Sequence, residues 1–158
     1  MNGNDNLRGD HPRSTATIGG HPIHPMLIPF PIVCFIGAFI TDIVYNSNND
    51  QGWAEASFWL LGIGLVMAAL AAVAGLTDFL GDDRVRSLGD AVKHMLANVT
   101  AVILEVVNLV LRINNPDFIH STGVYISGVV VLILVYSGWK GGDLVYRHGV
   151  GVHDRHSS

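Results

Sequence analysis

The sequence predicts an all-α fold, a four-helix transmembrane bundle with both termini on the cytoplasmic side. Of its 158 residues, 49% are hydrophobic and only 14% are charged, whereas charged residues make up about 25% of a typical soluble domain. Four apolar windows are each of the length that crosses a hydrocarbon core about 30 Å thick, which takes about 20 residues in a helix. The basic residues gather at one end of these windows, and this asymmetry sets the predicted orientation.

The predicted spans follow one another closely within a membrane domain of residues 19–152. We expect them at about 26–45, 56–79, 91–113 and 123–139, with flexible polar tails at 1–18 and 153–158. Span two carries small residues at four-residue spacing, which favours close helix packing within the bundle or along a homodimer interface. Glycines around Trp139 predict that span four ends there, at the membrane interface.

Polar links at 46–53, 81–90 and 114–122 join the spans. Four crossings place both termini and the 81–90 link on one side of the bilayer, here named side A, and the other two links on side B. The basic residues on side A are Arg8, Arg13, Arg84, Arg86, Lys93, Lys140, Arg147 and Arg155, and only Arg112 approaches side B. The positive-inside rule therefore predicts that side A is cytoplasmic.

Histidines also collect on side A, beginning with the stretch GGHPIHPMLIPFPIVCF at 19–35. His21 and His24 precede span one, His94 opens span three and His148 follows span four. Each proline biases the histidine before it away from the helical region, so we expect His21 and His24 to be extended. In a polyproline-like segment their imidazoles would be roughly 9 Å apart, too far to share one ion without a turn between them.

The first functional hypothesis is a small b-type cytochrome that passes single electrons. His24 and His94, from facing helices, would be the axial ligands of haem b. Asn98, one turn after His94, would orient the imidazole or bond a neighbouring helix. Basic residues at the same face would bind the haem propionates; these are Arg84, Arg86, Lys93 and Arg147. A quinone or a redox partner protein would exchange electrons with it.

Two alternatives remain open from the sequence. One is a divalent metal site or transport protein, because imidazole and carboxylate together suit zinc, iron or manganese. Its ligands would be His21, His24, His94, His148 and Asp78. The other is a structural membrane subunit without a cofactor. The sequence has no nucleophile-base-acid arrangement, phosphate loop or nucleic-acid patch, so bond-making catalysis and nucleic-acid binding are not predicted.

A second polar feature runs along span three, where helical periodicity places His94, Asn98, Glu105, Asn108 and Arg112 on one stripe. A charge at mid-membrane costs at least ~2.5 kcal/mol, so this stripe should face the bundle interior. Asp42, near the side B end of span one, is the predicted partner of Arg112. Glu105 is the deepest ionisable residue of the predicted bundle.

Three motifs resemble a bacterial family of predicted membrane proteins, domain of unknown function 2231. They are GHPIHPMLIPFPI at 20–32, the HxxxN of His94 and Asn98, and GWKGGDLVYRHGVGV at 138–152. The resemblance covers about residues 18 to 153. It implies a multi-pass protein of the bacterial cytoplasmic (inner) membrane, in contact with the lipid bilayer, whose histidines invite a haem or metal interpretation.

Overall fold

The structure, a computed structural model, describes residues 12, 14–115 and 117–151. Within them, four helical segments are long and apolar enough to cross a membrane: Ile23–Asn48, Gln51–Gly81, Gly89–Asn114 and Ile119–Tyr146. This confirms the all-α, four-span bundle and implies a lipid bilayer environment. The predicted tails lie outside the described residues, except for residues 12 and 14–18.

The first span combines a short helix α1 (Ile23–Leu27) with α2 (Pro29–Asn48). The amide of Ile28 bonds to the carbonyl of His24 at 3.1 Å, so the backbone stays helical up to Pro29. His24 is therefore helical, and the expectation that it is extended is wrong. Pro25 falls in the first turn of α1, where a missing N–H costs no helical hydrogen bond, so the helix begins before the proline.

His21 is extended as expected, in a two-stranded antiparallel hairpin of β1 (Thr17–Ile18) and β2 (His21–Pro22). The turn residues Gly19 and Gly20 have φ of 57° and 81°. Positive φ at both central positions is the requirement of the tight hairpin turn that glycines favour. The described end of the predicted N-terminal tail is thus a defined hairpin leading into α1.

The second span is helix α3 (Gln51–Gly81), which starts at the cap Asp50, whose carboxylate accepts from the Gly52 amide at 2.9 Å. Its small residues Gly64, Ala68 and Ala71 are buried. A Cβ on Gly64 would lie 2.7 Å from the Phe35 ring of α2. Gly64 therefore allows close packing between α2 and α3 inside the chain.

Helix α4 (Asp83–Ser87) occupies the predicted 81–90 link, and α5 (Gly89–Asn114) is the third span. The fourth begins with a π-helical turn (Ile119–Gly123) and continues as α6 (Val124–Tyr146). The predicted end of span four near Trp139 is wrong, because α6 continues through the glycines that suggested it. Gly141 lies beside the His94 ring, which needs the space that a side chain would fill.

The four spans pack α2 against α3 and α5 against α6, with α2 also against α6 and α3 against α5. Phe35, Ala38, Leu61, Ala101 and Val130 form the centre of the core. Large apolar side chains cover the outside; Val33, Val66, Val73 and Leu132 are each more than 60% exposed. An apolar exterior around a partly polar interior is the arrangement that a lipid solvent requires.

Candidate functional site

His24 and His94 meet at side A, where α1 and the start of α5 come together. Their ring centroids are 6.1 Å apart and the ring planes are almost perpendicular, at 89°. The two residues that the sequence paired across different spans are thus neighbours in the structure. Their meeting point lies between the two helix pairs, α2 with α3 and α5 with α6.

Each of the two rings is held by a backbone carbonyl of the following span. Nδ1 of His24 is 2.7 Å from the carbonyl oxygen of Ala71, and Nδ1 of His94 is 2.8 Å from that of Ser137. A carbonyl oxygen only accepts, so Nδ1 carries the hydrogen in both rings. In the neutral ring Nε2 then carries the lone pair, which is the state in which histidine binds a metal.

A glycine one helical turn beyond each carbonyl makes room for the ring. A Cβ on Gly75 would lie 2.7 Å from two atoms of the His24 ring, and one on Gly141 would lie 3.1 Å from Cε1 of His94. The same arrangement therefore occurs twice: a histidine at the start of one span, and a small residue and a glycine four positions apart on the next. We name these the two histidine cradles, Ala71 with Gly75 and Ser137 with Gly141.

Neither cradle was predicted from the sequence. Any residue can accept a hydrogen bond at its backbone carbonyl, so such a contact does not restrict which amino acid occurs at that position. The available signal was the spacing of Ala71 with Gly75 and of Ser137 with Gly141, one pair on each even-numbered span. In membrane helices that spacing is common wherever two backbones approach closely, so it does not single out a ring-binding site.

Asn98 contacts His94, which is one of the two roles that the sequence left open for it. Its Nδ2 lies 3.0 Å from Nε2 of His94 and also 3.0 Å from the His94 carbonyl oxygen, to which it donates. An amide N–H beside Nε2 suits a ring whose hydrogen is on Nδ1. Any group that binds Nε2 of His94 must displace or share this amide.

The other proposed metal ligands are not brought to the histidine pair. His21 is exposed in β2, and His148 Nε2 lies 3.5 Å from Asp90. Asp78 instead holds the N-terminal segment: its Oδ1 accepts from the Thr15 amide at 2.8 Å and the Ala16 amide at 2.7 Å. In the part of the chain described, no group of three or more His, Cys, Asp or Glu side chains is arranged to hold a metal ion.

The basic residues expected to bind an anion already face carboxylates. Arg84 pairs with Asp82 at 2.9 Å and Arg86 pairs with Asp83. Lys93 lies 3.8 Å from Asp90, and Arg147 lies 3.0 Å from Asp143.

Lys140, which the sequence analysis did not include in any site, lies 3.1 Å from both Asp90 and Asp143. Asp90 is at the start of α5 and Asp143 near the end of α6, so this ammonium group joins the two helices at side A. Lys140, Asp90 and Asp143 thus form a cluster of three charges of both signs, and Asp90 lies one helical turn before His94.

The polar stripe of α5 faces the interior, and Arg112 pairs with Asp42 as predicted. Its two terminal nitrogens lie 2.8 and 2.6 Å from the two carboxylate oxygens. The remaining N–H groups donate to Ser57, Ser127 and Asn108 at 2.7, 3.1 and 2.9 Å. All five guanidinium N–H groups are therefore used, inside the membrane, in a network that contacts three other spans.

Glu105 lies one turn deeper than Asn108 and is fully buried. Its Oε2 accepts from Asn108 Nδ2 at 2.9 Å. Its Oε1 has no hydrogen-bond partner among the described residues. A buried carboxylic group with one unpartnered oxygen stands out in a network that satisfies every other polar atom around it.

A small four-span membrane protein is thus defined, with two oriented imidazoles at one end and a buried ion-pair network toward the other. The chain belongs to the family of predicted membrane proteins DUF2231, whose sequence model matches residues 20–154. Comparison with curated proteins and with solved structures found no match.

Proposed function

We propose that this protein is a small electron-transfer protein of the membrane that binds a b-type haem between His24 and His94. The observation that carries the proposal is the matched orientation of the two imidazoles by the two histidine cradles. Metal-ligating histidines almost always donate their other ring N–H to a carbonyl, a carboxylate or water. Both rings already have this arrangement, and they come from different spans.

The separation of the rings is compatible with two imidazoles that bind one metal ion. Metal–imidazole bonds are about 2 Å long, so the centres of two imidazoles on one ion are at most roughly 6 Å apart. The centroids of His24 and His94 are 6.1 Å apart. The donor set is also suitable, because two neutral imidazoles on facing helices are a usual way to hold haem iron.

The bound haem would supply one-electron redox chemistry. The protein's own part is to fix the two rings against the backbone of α3 and α6, which are rigid elements, and to leave the lone pair on Nε2 of each ring. On His94 the ligand would take the place of the Asn98 amide. Gly75 and Gly141 leave room for the two rings because neither residue has a side chain. The Lys140 pairs with Asp90 and Asp143 hold α5 and α6 together beside the site.

The position of the site at side A indicates where in the cell electron transfer would take place. If side A is cytoplasmic, as the basic residues favour, the haem would lie at the cytoplasmic face of a bacterial inner membrane. There it would be within reach of a soluble redox partner and of a quinone in the lipid. The chain would transfer electrons without making or breaking covalent bonds of a substrate.

The test is the visible spectrum of the protein purified in mild detergent from cells supplied with haem precursor. The dithionite-reduced wild type should show a sharp α-band that is lost in both His24→Ala and His94→Ala. His21→Ala is the matched control, because this exposed histidine has the same His-Pro context and should leave the band unchanged.

Two results would contradict the proposal. A wild type with no chromophore although haem was available would exclude a cytochrome. An unchanged α-band in His24→Ala or His94→Ala would show that the haem has other ligands. In the first case, metal analysis of the same sample would decide between a metal protein and a subunit without a cofactor.

A further inference from the structure

The buried carboxyl group of Glu105 carries an inference that does not depend on haem. Glu105 lies in the interior of the bundle, more than a helical turn from each end of α5, and none of its surface is exposed. The charged groups that act on it are Arg112 of its own helix and Asp42 of α2. Helices α3 and α6 contribute the hydroxyl groups of Ser57 and Ser127 to the same network.

The charge of Arg112 is already balanced by Asp42, through two short hydrogen bonds. All five N–H groups of Arg112 have acceptors, and none of those acceptors is Glu105. Among the described residues, the only group that hydrogen-bonds the Glu105 carboxyl group is the neutral amide of Asn108. An ionised Glu105 would therefore be a second negative charge in the bundle interior without a cation, which is strongly unfavourable in lipid.

We propose that Glu105 is a proton-binding site, with an exchangeable proton on Oε1 that reaches it from side B. This oxygen has a lone pair available for the proton, since no described residue donates a hydrogen bond to it. Loading forms one O–H bond as a hydrated proton gives up its hydrogen to the carboxylate, and release reverses the step. Nothing is oxidised or reduced.

A pocket at the side B end provides the access route. It has a volume of about 310 Å³ and is lined by Gln51, Ala54, Glu55, Phe58, Arg112 and Ile119. Arg112 belongs both to this pocket and to the buried network, and Asn108 connects it to Glu105. Water in the pocket is thus separated from Glu105 by Arg112 and Asn108 and the hydroxyl groups around them.

The π-helical turn lies where this route passes α6. Ile119, its first residue, lines the pocket, and the carbonyl of Gly123, its last residue, is 3.5 Å from Asn108 Nδ2. Single π-helical turns occur often at functional sites, because they offer carbonyls that an α-helix would bond internally. The turn places a polar backbone group beside the amide that contacts Glu105.

The sequence allows a direct test, because Glu55 and Glu105 are its only glutamates. Infrared spectra of protein labelled with carboxyl-¹³C glutamate report these two groups through their isotope-shifted bands. At neutral pH we expect a protonated-acid C=O band that shifts in D₂O. It should be absent in Glu105→Gln and still present in Glu55→Gln, which removes the exposed carboxyl group of the pocket lining and so shows which of the two glutamates carries the band.

The access route is tested by filling the pocket. In Ala54→Trp, exchange of the acid proton for deuterium should require local opening of the bundle and become about tenfold slower or more. Leu132→Trp, a substitution of the same final size on the lipid-facing side of α6, should leave the exchange rate unchanged.

Several outcomes would overturn the proposal. If the labelled wild type shows only ionised carboxylate bands at neutral pH, Glu105 holds no proton. If the acid band disappears on adding sodium at constant pH, the site binds a cation instead. The isotope label identifies the band in the wild type, so the test stands even if Glu105→Gln does not fold. Unchanged exchange in Ala54→Trp would exclude the side B route.

Discussion

At the scale of single residues, the site depends on two positions where an added side chain would crowd an imidazole ring. Gly75 and Gly141 sit under the two imidazoles, and each is one turn from the carbonyl that holds the ring. The conformational cost of glycine in a helix interior, about 0.5–1 kcal/mol relative to alanine, is therefore offset by a specific ring position. The two glycines therefore define the site as much as the two histidines do.

Gly75→Ala should displace the His24 ring, because the new Cβ would lie 2.7 Å from two of its atoms. We expect destabilisation by about 1–3 kcal/mol from overpacking, with loss of any ligand bound at the ring. Thermal unfolding in detergent measures the first effect and the visible spectrum the second. Gly62→Ala on the same helix meets nothing within 4 Å and should be neutral or stabilising. Equal behaviour of the two variants would refute the role assigned to Gly75.

The buried ion pair makes a second residue-level prediction. Arg112→Met should destabilise the bundle by about 3–5 kcal/mol, because it leaves the Asp42 carboxylate buried without its cation. Arg86→Met removes an exposed pair with Asp83 and should cost at most about 1 kcal/mol. Unfolding in detergent compares the two. A similar small loss in both would refute the stabilising role assigned to the buried pair.

At the scale of elements, the sequence predicted that the four helical spans exist but not where each helix begins and ends. Four spans were predictable because a bilayer demands about 20 apolar residues per crossing, whatever those residues contact. The end of α6 was not predictable. Gly141 has a low intrinsic preference for the helix, but in the fold it packs against the His94 ring and the helix continues through it. The early start of α1 was missed for a similar reason, since Pro25 was taken to extend the chain before it.

The candidate site divides in the same way. The stripe on α5 and the partner of Arg112 were predictable, because buried charges in lipid must pair. The carbonyl contacts of His24 and His94 were not, since any residue supplies a carbonyl. Asp78 was assigned as a metal ligand from its depth alone. The structure gives its carboxylate four neighbouring donor atoms from residues 14–16, a contact that no sequence pattern indicates.

Asp78 thus anchors the segment that leads into β1, which gives a prediction about an element. In Asp78→Ala, residues 14–16 lose the carboxylate that accepts their hydrogen bonds and keep the Thr77 carbonyl as acceptor for Thr15 Oγ1, so trypsin should cleave after Arg13 faster than in the wild type. Asp83→Ala, at the same end of the bundle but with a highly exposed side chain, should leave the cleavage rate unchanged. Cleavage rates followed by mass spectrometry decide, and no difference between the variants would remove the anchoring role.

At the scale of the whole molecule, an even number of spans requires that both ends of the membrane domain lie on one side. The basic residues predict that this side is cytoplasmic. In a Cys34→Ala background, Ser47→Cys at the side B end of α2 should react with an impermeant maleimide in intact cells. Ser87→Cys in α4 should react only after the membrane is opened. The reverse pattern would invert the assigned orientation.

The two histidine cradles also have a thermodynamic consequence for the molecule. Each helix pair supplies one imidazole from its first span and the supporting carbonyl from its second, so each holds half of the site. A ligand bound by both rings would therefore act as a clamp between the two helix pairs. By linkage, such a clamp would stabilise their association by as much as that association strengthens binding. Substitutions far from the rings that loosen the contact between the two helix pairs should then lower the affinity for the ligand in proportion.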